Sequence, residues 1–133
     1  MQWNLLTSTL GANALFSGLS GVLLAVGALP MSDWLGIPTW LCVAVGIGLV
    51  LFAIQVAMTA RNPVPVSVRT VIAGDVAWVV IATVLILGFP DSMSDTGLVA
   101  LGIVTAVVAT FAVLQSIGLR SVIGTAAEAS SEV

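Results

Sequence analysis

The chain has 133 residues, of which 59% are hydrophobic and only 7% charged, with a formal net charge of −3; a water-soluble domain carries about 25% charged residues. With a mean hydropathy of +1.22, so much apolar surface cannot be hidden in one small soluble core, and the chain is expected to lie in a bilayer. A lipid-exposed backbone must satisfy its own hydrogen bonds, which leaves helices or a closed barrel, and the long unalternating apolar runs select helices.

Four apolar runs follow in chain order, at about 9–29, 40–60, 70–89 and 97–119, each close to the roughly 20 residues a spanning helix requires. The predicted fold is an all-α, four-helix transmembrane bundle forming a single domain over residues 1–120. The first run is preceded by no Lys or Arg, unlike a secretory signal with its basic leader, so it is expected to be retained as a span. Pro30 and Pro38 bracket the first connection, Asn62, Pro63 and Pro65 occupy the second, and Pro90 opens the third, as expected where helices stop. Short connections make sequential helices antiparallel neighbours. Residues 121–133, rich in Ala, Ser and Thr and carrying Glu128 and Glu132, read as a disordered acidic tail.

Charge sorts by connection. Arg61 and Arg69 flank the second connection and Arg120 follows the fourth span, while Asp33, Asp91 and Asp95 fall in the first and third connections. By the positive-inside rule, these three arginines set the topology: the arginine-bearing end and both termini are cytoplasmic, and the aspartate-bearing turns lie outside. Shifting the chain by 60 residues superposes Pro30 on Pro90, Ser32 on Ser92, Leu41 on Leu101 and Gln55 on Gln115. Such a duplication implies two parallel helical-hairpin repeats.

Asp75 is the most informative residue, an acid about six residues, or ~9 Å, inside the third span from Arg69. A charge at mid-bilayer costs from about 2.5 kcal/mol, so such groups face the bundle interior and often mark ion or substrate paths. Arg69 lies on a different face of the same helix, so a partner for Asp75 is expected from another span. Asn13, Gln55 and Gln115 all reach a similar depth, roughly 7–10 Å from the same boundary at helical rise. Asn13, Gln55, Asp75 and Gln115 are therefore expected to converge as one hydrogen-bonded layer. That layer serves either to join helices or as a ligand or proton site. Trp78, one turn after Asp75, is either a pocket wall or a space-filling indole. Small residues at helical spacing, such as Ser17, Gly21 and Ala25, allow close helix approach.

Catalytic chemistry has little to stand on. There is no lysine for retinal attachment, no histidine for haem, zinc or a seryl base, and one cysteine, Cys42, which excludes an internal disulfide. The other aspartates lie in turns, so a two-aspartate protease lacks its second buried acid. No cofactor or metal is expected, and with neither a phosphate loop nor a basic patch no nucleic-acid role is expected either.

The segments Asn13-Ala-Leu-Phe-Ser-Gly18 and Asp75-Val-Ala-Trp-Val79 resemble uncharacterised small four-span bacterial integral membrane proteins. The resemblance implies a fold and a bacterial inner-membrane location, and no activity. Size and span count are also similar to small multidrug resistance transporters, which place their essential acid in the first span, where this chain has Asn13. The leading expectation is a non-enzymatic accessory or interaction subunit, in contact with lipid and with another membrane protein or a second copy. The alternative is a small transporter or ligand- or proton-binding protein centred on Asp75.

Overall fold

The computed structural model describes residues 2–131, and nearly all of them are helical. Helix α1 spans Gln2–Val26, α2 Ala28–Leu35, α3 Thr39–Arg61, α4 Pro65–Gly88 and α5 Asp95–Ser131, with one 3-10 turn at Pro90–Ser92. Four of these are long and apolar enough to cross a membrane, at 23, 23, 24 and 37 residues. At 1.5 Å per residue even the shortest exceeds the ~30 Å hydrocarbon core.

The interior is built by a shared spacing. Buried positions recur at spacings of three, four or seven residues: Leu6, Leu10, Asn13, Ser17 and Gly21 on α1, Val68, Val71, Asp75 and Ala82 on α4, and Val108, Ala112, Gln115, Leu119 and Val122 on α5. On α3 the stripe is Cys42, Gly46, Ala53 and Val56. This is the spacing that keeps one seam of a helix facing its neighbours. The outward faces carry Leu15, Leu19, Ile47, Leu51, Val80 and Ile103, all more than half exposed, a surface suited to lipid rather than water.

Packing follows the small residues. Helices α1 and α3 form the most extensive contact, α4 packs on α5, and α1 also packs on α5. Gly21 and Gly46 face one another so closely that a Cβ on Gly46 would lie 2.7 Å from the Gly21 carbonyl oxygen and 2.6 Å from the Ala25 nitrogen. The expectation that all sequential spans are close neighbours needs one correction. Although α3 and α4 are joined by the shortest connection between two of the long helices, they barely touch, because the seam residues of α3 are spent against α1. The bundle is thus a ring in the order α3, α1, α5, α4 with an open seam between its two ends.

Two helix boundaries also differ from the sequence reading. Pro30 does not stop a helix, because the chain breaks at Gly27 and restarts as α2, with Pro30 third in the new helix, where the amide it lacks has no intrahelical acceptor to miss. Gly36 then ends α2 with φ +69°, a left-handed cap that favours glycine. Ser94 ties this corner to α5: its N–H donates to the Leu35 carbonyl at 3.0 Å and its hydroxyl to the Trp34 carbonyl at 2.6 Å. The Ser94 Oγ in turn accepts the Gly97 N–H at 3.0 Å, as an N-cap does. At the other end, α5 does not give way to a disordered tail after Arg120. It runs on to Ser131 with residues 123–131 exposed, since this stretch has no proline and is rich in alanine, the strongest helix former. Glu132 lies outside the described residues.

Below the polar layer, at the arginine-bearing end, Leu6, Leu10, Val56, Val68, Val71, Leu119 and Val122 form a closed apolar core, with Phe52 and Ile72 packed against it.

Candidate functional site

The buried acid is placed by α4, whose seam positions Val68, Val71 and Asp75 follow the 3-4 spacing inward. Asp75 is 2% exposed. The Asn13 Nδ2 of α1 donates to its Oδ2 at 2.8 Å, and the Gln115 Nε2 of α5 donates to the same oxygen at 3.1 Å. Asn13 and Gln115 are both fully buried. The Ser17 hydroxyl, one turn along α1, donates to the Asn13 Oδ1 at 3.1 Å, which fixes the orientation of that amide so that its NH2 group points at the acid. Three of the four residues expected to share a layer therefore meet.

Gln55 does not join them. It is exposed, and it borders a shallow groove near the α3–α4 loop together with Met58, Ser67 and Thr70. Its depth along the helix is as expected, but its direction is not. The buried stripe of α3 passes through Ala53 and Val56, and one residue of rotation, about 100°, turns position 55 away from it. The two glutamines that a 60-residue shift superposes thus have opposite environments.

A cavity of about 370 Å³ adjoins Asp75 on the side away from the apolar core, a size within the range of small-molecule sites. Phe16, Phe52 and Trp78 supply aromatic walls, and Ser17 and Ser20 are its only polar side chains besides Asp75 and the Trp78 indole. Trp78 is therefore a wall, and its Nε1 is enclosed without an acceptor among the described residues; the Gln115 Oε1 is likewise enclosed without a donor. The cavity reaches the α3–α4 seam, where its lining includes the exposed Gly48, Ala77 and Ile81. Phe52 crosses this seam onto Gly74, where a Cβ would lie 2.8 Å from its Cε2, so the glycine is what lets the ring lie there.

Asp75 has no basic neighbour. The three arginines are exposed: Arg61 ends α3, Arg69 lies in the first turns of α4, and Arg120 sits between buried Leu119 and Val122 on the outer face of α5. Among the described residues no three His, Cys, Asp or Glu side chains gather as a metal site. Ser17, Phe16, Phe52 and Gly74 were not singled out as site residues from sequence. For Ser17 a signal was present, four residues from Asn13 and hence on the same helical face; for the Phe52–Gly74 contact, which joins two helices that barely pack, none was.

No protein-family model matches the chain, and neither the curated proteins nor the solved structures contain a match to it.

Proposed function

We propose that this chain is a non-enzymatic, membrane-embedded protein that binds a small ligand in the cavity beside Asp75. The observation that supports the reading is the pairing of an ordered carboxylate with an adjoining space. Asn13 and Gln115 hold one oxygen of Asp75 from two other helices, while the same residue borders a cavity of about 370 Å³ between apolar and aromatic walls. A polar layer that only joins helices has no need of that space, and close packing is the rule in protein interiors. An accessory role in a larger complex likewise makes no use of the cavity, and this favours ligand binding over it.

The positions of Arg61, Arg69 and Arg120 support an orientation in a bacterial inner membrane with both termini cytoplasmic. In that orientation the apolar core closes the cytoplasmic side of the Asp75 layer, and the cavity lies toward the opposite leaflet. Access then runs through the α3–α4 seam.

The test is native mass spectrometry of the full chain, released from nanodiscs formed directly from its source membrane. Wild type is expected to carry an adduct lighter than a phospholipid, and Ser20→Phe, which fills the cavity without touching the Asp75 hydrogen bonds, is expected to lose it. The same adducts on both proteins, or none on wild type, would contradict the reading.

A further inference from the structure

The hydrogen bonds of Asp75 are unevenly divided. Both amide donors go to Oδ2, and Oδ1 accepts from no described residue, although Asp75 is almost wholly buried and lines the cavity. The enclosed polar atoms without partners among the described residues are the Trp78 Nε1 and the Gln115 Oε1, and Oδ1 is not among them; it keeps some accessible surface on a residue that lines the cavity. The donors are neutral amides, so they orient the acid without cancelling its charge. All three arginines of the chain, Arg61, Arg69 and Arg120, are exposed at a distance along their helices.

A carboxylate surrounded by hydrocarbon is stable only when it is neutralised or paired. The walls facing it include the rings of Phe16, Phe52 and Trp78, and aromatic faces attract cations, quaternary ammonium groups included. An anion would be repelled by the ionised acid, and a neutral guest gives Asp75 nothing to pair with, leaving protonation as its route to neutrality. Calcium and magnesium need six or more oxygens and zinc about four N, S or O ligands, whereas this cavity offers one carboxylate, Asp75, and two serines. The space is also too large and too apolar for a monatomic ion alone.

The geometry points to a small organic monocation with an apolar or aromatic body as the ligand class of this site, its positive group against Asp75 Oδ1 and its body among Phe16, Phe52 and Trp78. This rests on the reading of the cavity as a ligand site and adds the charge that the ligand must carry. The guest enters from the membrane through the α3–α4 seam, where exposed Gly48, Ala77 and Ile81 border the cavity. Phe52, lying across Gly74, is the side chain that must give way.

The experiment compares benzyltrimethylammonium with its uncharged carbon isostere, 2,2-dimethylpropylbenzene. Binding to the full chain in phosphatidylcholine nanodiscs is measured by equilibrium dialysis, with partition into protein-free nanodiscs subtracted. Wild type is expected to bind the cation about tenfold more tightly than the isostere, the scale of a desolvated cation held by an acid and aromatic rings. Asp75→Asn, which keeps shape and removes charge, is expected to erase that preference. Equal binding of the two compounds to wild type overturns the inference without recourse to any variant. Unchanged cation preference in folded Asp75→Asn overturns it as well. Ser20→Phe separates the two levels of the account. If it abolishes an equal binding of both compounds, the cavity remains a ligand site and only the charge selectivity fails. If neither compound binds wild type better than Ser20→Phe, both readings fail.

Discussion

The amide of Asn13 and the carboxylate of Asp75 meet across 2.8 Å, and this bond runs diagonally through the bundle between α1 and α4, two helices with almost no backbone contact of their own. It joins the α1–α3 pair to the α4–α5 pair at the depth of the polar layer, alongside the packing of α1 on α5 and the Phe52–Gly74 contact across the seam. Interhelical hydrogen bonds in membranes contribute about 0.6 kcal/mol on average and reach about 1.7. A double-mutant cycle with Asn13→Ala and Asp75→Ala, followed by refolding in mixed micelles, is expected to give a coupling of about 1 kcal/mol. Strictly additive single losses would show that the two side chains do not interact in the folded protein.

The two glutamines offer a matched comparison. Gln115→Leu removes a donor from a buried acid and is expected to cost about 1–3 kcal/mol. Gln55→Leu, on an exposed face, is expected to stay within about 0.5 kcal/mol. Thermal unfolding of the two variants in detergent decides the matter, and a larger loss at position 55 would reverse the assignment of faces.

Gly46 and Gly48 differ in the same way. A Cβ on Gly46 would press into the α1 backbone at Gly21 and Ala25, while one on Gly48 would meet nothing within 4 Å. Gly46→Ala is expected to destabilise by about 1–3 kcal/mol through overpacking, and Gly48→Ala to cause no loss. On α3, glycine is then required at the contact with α1 and not at position 48 of the cavity wall.

Orientation is accessible to labelling. With Cys42, the one native cysteine, replaced by alanine, a membrane-impermeant maleimide added to sealed right-side-out cells is expected to modify Asp91→Cys and to spare Asn62→Cys. Modification of the second alone would invert the proposed topology, along with the leaflet toward which the cavity lies.

Much of this architecture was legible in the residues. Apolar runs of spanning length depend only on composition, and they locate all four long helices. The clustering of Asn13, Asp75 and Gln115 was readable because polar groups in hydrocarbon must find one another. Gln55 shows the limit of measuring depth alone: position along a helix says nothing of rotation about it, and the small residues Gly46 and Ala53 mark the buried face that leaves position 55 outside. Pro30 reads as a stop because proline breaks helix interiors, yet the break at Gly27 makes it part of a first turn, where it is tolerated. The open α3–α4 seam and the cavity behind it were not readable at all. They arise from which helix claims the glycine face of α3, a competition settled by three-dimensional packing between Gly21 and Gly46 and by no local pattern.

The central claim is that Asp75 points into a four-helix interior and is held there by amides from two other helices. Solid-state NMR of the chain in lipid bilayers, with 13C at the Asp75 carboxyl and 15N at the side-chain amides, measures this directly. The account expects through-space transfer from the Asp75 carboxyl carbon to both the Asn13 Nδ2 and the Gln115 Nε2. Transfer to neither amide, with contact instead to lipid acyl protons, would contradict it.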